Sequence, residues 1–113
     1  MESIVVREKT TSDIVMQLFS DDEVIDLTDV DHIEMNMIDS YKNTYHYSSD
    51  DESPALVITT PLSGIITFTP PSEAVFLYQR SPYKGHTWVY ETATKKYAVP
   101  ENSYFEIRVT KEF

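Results

Sequence analysis

The chain has 113 residues, 41% of them hydrophobic, with 2 Gly, 6 Pro, 8 Tyr, no Cys and a net charge of −10. That length holds one domain, and the apolar content is enough for a core, which excludes wholesale disorder. The missing cysteines exclude disulfides, zinc–thiolate centres and a cysteine nucleophile, the isolated Gly64 and Gly85 exclude a glycine-rich phosphate loop, and no stretch reaches the ~18 apolar residues of a membrane span.

In chain order, Ile4, Val5 and Val6 form an apolar run before the polar residues Glu8, Lys9, Thr10 and Thr11. Residues 14–19 alternate, with Ile14, Met16 and Leu18 on one face and Val15, Gln17 and Phe19 on the other. Ser20, Asp21, Asp22 and Glu23 break that strand, because short polar side chains bond their own backbone. Residues 24–27 read as a short return strand. Residues 33–37 put Ile33, Met35 and Met37 inward and Glu34 and Asn36 outward. Residues 39–54 are the most polar stretch, with Tyr41, Tyr45 and Tyr47 at the centre and Asp50, Asp51 and Glu52 near the end. They read as a projecting hairpin arm or a loop, and long loops in compact domains are commonly functional.

Residues 55–59 and 65–69 are strands on either side of a turn at 61–64, the second stopped by Pro70 and Pro71. Residues 72–79 carry the one helical signal, a short turn that Pro71 and Ser72 would open. Residues 86–91 alternate His86, Trp88 and Tyr90 against Thr87 and Val89. Residues 104–110 alternate Phe105, Ile107 and Val109 against Tyr104, Glu106, Arg108 and Thr110. Seven or eight short strands at intervals of about 8–15 residues predict an all-β sandwich or barrel, a single domain over residues 1–113. The expected core is Ile14, Met16, Leu18, Ile33, Met35, Ile65, Phe105, Ile107 and Val109, with Trp88 as an interior tryptophan.

The chemistry of sites is sparse. The aspartates at 21–31 lack the alternating ligands and turn glycine of a calcium loop. His32, His46 and His86 fall in three segments without metal-ligand spacing, and there is no nucleophile elbow. Neither enzymatic activity nor a cofactor or metal is expected, and a sandwich of this size leaves little room for a small-molecule pocket. Residues 1–60 hold 14 acidic and 3 basic side chains, against 5 and 6 in residues 61–113. An acidic half disfavours a phosphate backbone, so no nucleic-acid partner is expected. The first ten residues lack the basic and apolar regions of a signal peptide, which points to a soluble protein kept in a cytosol or in a particle assembled there. Tyr41, Tyr45 and Tyr47 have polar neighbours, as tyrosines of contact surfaces do, so they are the expected partner contacts with Asp50, Asp51 and Glu52 at a wet rim. Two further readings stay open: a carbohydrate-binding module using Trp88 and Tyr90, and a small acidic inhibitor of a host enzyme using the carboxylates at 21–31 and 50–52.

The succession of an apolar opening strand, a second strand ending at a polar turn, then Val24, Ile25, Asp26, Leu27 and Thr28, then the strand at 33–37, resembles the N-terminal domain of the upper baseplate proteins of long-tailed phages. The turn and strand PLSGIIT at 61–67, the aromatic strand GHTWVY at 85–90 and the closing strand at 104–110 extend the resemblance over nearly the whole chain. It implies an immunoglobulin-like antiparallel β-sandwich, a non-enzymatic structural protein of a bacteriophage virion (tail, baseplate, neck or capsid accessory subunit) made in the host bacterial cytoplasm. It also implies other virion proteins as partners, a homo-oligomer (trimer or ring), and no membrane partner. The chain departs from the family in having no glycine in the turn at 92–96 and a long segment at 39–54.

Overall fold

The computed structural model describes residues 3–101 and 103–111. They form eleven strands: β1 (Ser3–Arg7), β2 (Ile14–Gln17), β3 (Phe19–Ser20), β4 (Glu23–Val24), β5 (His32–Ile38), β6 (Thr44–Ser48), β7 (Leu56–Thr60), β8 (Ile65–Phe68), β9 (Tyr83–Tyr90), β10 (Lys96–Val99) and β11 (Phe105–Thr110). The larger sheet runs β1-β11-β9-β5-β6, with β10 also on β9, and the smaller runs β2-β8-β7. The fold is all-β, as the strand spacing predicts, but with eleven strands among the described residues where seven or eight are expected. The larger sheet is mixed, however, because β1 lies parallel to β11 with Ser3 opposite Glu106 and Arg7 opposite Thr110. That corrects the purely antiparallel expectation.

Local chemistry explains the breaks. The β3–β4 hairpin turns on Asp21 and Asp22, both at positive φ (52° and 65°). Two left-handed residues make the turn whose twist matches a tight hairpin, and aspartate tolerates that region better than most side chains. A 3-10 turn at Pro61–Ser63 ends on Gly64 at φ 64°, where a Cβ would stand 2.6 Å from the Ile25 carbonyl oxygen. No helix forms at 72–79. The only helical piece there is a 3-10 turn at Tyr78–Arg80, because Val75 and Phe76 are used as buried anchors instead. The Tyr83 hydroxyl holds this crossover by donating to the Val75 carbonyl (2.7 Å) and accepting from the Leu77 N–H (2.9 Å).

One hydrophobic cluster lies between the sheets, drawing Ile14, Met16, Leu56, Ile66 and Phe68 from the smaller and Ile33, Met35, Met37, Tyr83, Val89, Phe105, Ile107 and Val109 from the larger. Phe76 joins them, edge-on to both Phe68 and Tyr83, an arrangement that aromatic quadrupoles favour. Eight of the nine expected core residues are buried. Ile65 is only half-buried and Ile66 is buried in its place, because the turn through Gly64 starts β8 one residue out of the expected phase. Trp88 is also corrected: Tyr83, Gly85, Thr87 and Val89 point inward, and Trp88 stands on the outer face, half-buried. Among the described residues no helix is long and apolar enough to cross a membrane.

Two core substitutions test this packing. Ile107→Ala removes fully buried methyl groups and is expected to cost about 2–5 kcal/mol. Thr87 is fully buried and, among the described residues, its hydroxyl has no hydrogen-bond partner. Thr87→Val keeps the shape and removes the unsatisfied group, so it is expected to stabilise by about 1 kcal/mol. A thermal melt lowered by Thr87→Val, or unchanged by Ile107→Ala, would place these strands the wrong way round.

Candidate functional site: the outer face of the larger sheet

The pairing of β5 with β9 and β6 assembles this face. His32 lies opposite Tyr90, Glu34 opposite Trp88, and Asn36 opposite His86 on one side and His46 on the other. The three histidines, far apart in sequence, therefore stand on one surface with Trp88, Tyr90 and Tyr104. Alternation within each strand is visible in the sequence, but which strands adjoin is not, so sequence reasoning missed the grouping. It also missed Glu34, Asn36, Lys84, Lys96 and Tyr104 as members.

Glu34 is the centre of a polar network. One carboxylate oxygen takes His32 Nε2 at 3.0 Å, and the other lies 3.5 Å from both His46 Nε2 and the Tyr90 hydroxyl. His32 Nδ1 meets Asp31 at 2.6 Å, and His46 Nδ1 meets Asn36 Oδ1 at 2.6 Å. The His32 ring stacks on Tyr90 with centroids 4.2 Å apart. Lys96 Nζ donates to the Tyr90 hydroxyl (3.2 Å) and sits over the Trp88 ring at 4.4 Å, a cation–π contact that partly covers the indole. His86 meets Trp88 edge-on. Among the described residues no three His, Asp or Glu side chains are placed to hold a metal ion.

Beside this network lies a shallow depression of about 550 Å³. Asn36, His46, His86, Lys84 and Tyr104 are among its walls, and Ile38 and Met37 contribute apolar surface. Lys84 Nζ stands 4.9 Å from the centre of the Tyr104 ring.

The predicted contact tyrosines divide. Tyr45 and Tyr47 sit on β6 and turn inward, packed against the core rather than projecting from it. Tyr47 approaches Phe68 at 4.7 Å between centroids and Tyr45 approaches Tyr83 at 5.6 Å. Their polar neighbours Thr44, His46 and Ser48 are the outward face of an edge strand, not a loop. Tyr41 alone is exposed, at 60%. It lies in a turn clamped by the buried Asp39, whose carboxylate accepts from the N–H groups of Tyr41 (2.9 Å) and Asn43 (3.0 Å), the Asn43 side-chain amide (3.1 Å) and the Tyr45 hydroxyl (2.7 Å). Burial alone would raise the Asp39 pKa, but these hydrogen bonds outweigh it and hold the carboxyl below the ordinary value. Asp50, Asp51 and Glu52 are exposed in the following loop, where the Asp51 carboxylate accepts from the Ser48 N–H at 3.2 Å. Of the sixteen residues at 39–54, five (Thr44–Ser48) form β6, the second strand of a hairpin with β5, and the rest are turns and loop around it.

Partial burial opposes protonation of His32, but its hydrogen bonds to Asp31 and Glu34 outweigh this and raise its pKa above 6.5. A raised folded-state pKa gives stability that is complete below about pH 6.5 and is lost as pH rises through the folded value. The melting temperature is therefore expected to fall from about pH 6.5 upward, and to fall less in His32→Gln. Equal pH slopes for the two proteins would remove His32 as the cause. No protein-family model matches the chain, and no curated protein matches it.

Proposed function

We propose that the chain is a non-enzymatic structural subunit of a bacteriophage particle, an immunoglobulin-like β-sandwich that acts through contacts with other virion proteins. It is made in the host bacterial cytoplasm and resides in the virion. The observation that carries this reading is the outer face of the larger sheet. Its ionisable groups are tied mainly to one another, and its rings offer a broad, shallow area of the kind that protein interfaces use. The sequence resemblance supports the same reading: most of its segments lie on strands (β1, β2, β5, the turn into β8, β9 and β11), whereas of residues 24–28 only Val24 is in a strand.

One observation favours a second reading. Trp88 stands on the outer face beside Tyr90 and an open depression, and aromatic rings in that setting can carry sugar rings.

Two measurements separate the readings. The structural reading expects mass spectrometry of purified particles to find the chain in fixed proportion to the major virion proteins. Trp88 is the only tryptophan, so its fluorescence reports on this face directly. Emission is expected to shift on adding the neighbouring virion protein and to stay constant with host-cell oligosaccharides. A chain missing from the particles, with emission that saturates against an oligosaccharide, would reverse the order of the two readings.

A further inference from the structure

The chain carries −10 overall, yet the residues lining the depression beside Lys84 include no carboxylate. They are Lys84, His46 and His86 among polar and apolar neighbours, and Lys42 stands in the turn between Ile38 and Thr44 of the same lining. Among the described residues neither Lys84 nor Lys42 has an ion-pair partner. The nearest acid in register with Lys84 is Glu106, which is buried and bonded to Arg108. The apolar part of the surface is exposed as well, Ile38 at 38% and Tyr104 at 36%.

The β3–β4 hairpin is the converse. Asp21, Asp22 and Glu23 are all exposed and have no cationic partner among the described residues. Phe19 and Val24 pair across the hairpin and remain exposed at 47% and 42%. The hairpin is fixed at its base by the Leu18 N–H on the Gly64 carbonyl (2.9 Å) and the Ile25 N–H on the Leu18 carbonyl (3.0 Å). No hydrogen bond or ion pair joins it to Lys84 within the same copy, among the described residues.

We propose that the depression beside Lys84 receives the β3–β4 hairpin of a second copy of this chain. Phe19 and Val24 lie against Ile38 and Tyr104, while Asp21, Asp22 and Glu23 meet Lys84, Lys42 and the imidazole of His86; His46 is already held by Asn36 and Glu34. The match is both apolar and ionic. Long-range repulsion between two acidic molecules is screened beyond about 8 Å at physiological ionic strength, whereas charges in contact still attract. Donor and acceptor are different surfaces, so the contact is heterologous and can propagate from copy to copy. This deepens the structural reading by naming one partner.

Sedimentation velocity of the full chain tests it. The wild type is expected to self-associate with rising concentration, and to dissociate when salt is raised from about 0.1 to about 1 M, which shortens the screening length from roughly 10 to roughly 3 Å. Lys84→Glu, and separately Phe19→Ser with Glu23→Lys, are each expected to weaken association at least about tenfold, since like charges then face each other. Each variant keeps one intact surface, so an equimolar mixture of the two is expected to associate, at least to a one-to-one dimer, where each variant alone does not. Thermal melts check that both variants remain folded. A wild type that stays monomeric, a Lys84→Glu protein that associates like the wild type, or a mixture that does not dimerise would overturn the proposal. Virion content is a separate readout: a chain found in particles but monomeric in solution ends the self-docking proposal and leaves the structural reading standing. A chain that self-associates as described but is missing from particles does the reverse.

Discussion

The pairing of β5 with β9 decides nearly everything else about this molecule. Seven residue pairs, from His32 opposite Tyr90 to Ile38 opposite Lys84, lock the two strands in register. Side chains alternate faces along a strand, so a slip of one residue would exchange the core set for the surface set. The register puts Ile33, Met35, Met37, Thr87 and Val89 inside and leaves His32, Glu34, Asn36, His86, Trp88 and Tyr90 outside. It depends on close backbone approach at Gly85, where any Cβ would stand 2.4 Å from the Asn36 carbonyl oxygen and 2.8 Å from the Phe105 ring. Glycine is needed here for space, not for an unusual dihedral.

A second constraint shapes the far end of the same sheet. The Asp39 carboxylate gathers four donors from the turn and from β6, and the Arg80 guanidinium donates to the Tyr45 hydroxyl from the other side at 3.3 Å. The Ser40 N–H also bonds the Arg80 carbonyl at 3.0 Å. The β5–β6 turn, the inward tilt of Tyr45 and the crossover before β9 are thereby joined around one buried charge. Removing the carboxylate would leave several donors unmet at once, which costs more than one ordinary hydrogen bond.

How much of this was legible beforehand depended on the kind of signal. Alternation within a strand was readable, so the inward faces of β2, β5 and β11 came out correctly. Strands whose two faces look alike were not. In β9 the outward set holds Trp88 and Tyr90 while the inward set includes Gly85 and Thr87, so hydrophobicity pointed the wrong way. In β6 the polar residues Thr44, His46 and Ser48 concealed that Tyr45 and Tyr47 belong to the core. The candidate site was less legible than the fold, because it is made by lateral neighbours: nothing in the spacing of His32, His46 and His86 says that their strands adjoin.

The parallel pairing of β1 with β11 carries a consequence for the order of events in biosynthesis. β1 is made before every other strand described, yet among the described residues β11 is its sole strand partner in the larger sheet. Ile4 and Val6 must therefore wait, uncovered on that side, until about a hundred further residues have been made. β11 in turn enters between β1 and β9 rather than adding to an edge. Contacts of such long sequence separation form slowly, because a large loop must close before they repay its entropy. During translation the nascent chain thus exposes the β1 edge and the β9 edge together, two strands waiting for the same late arrival.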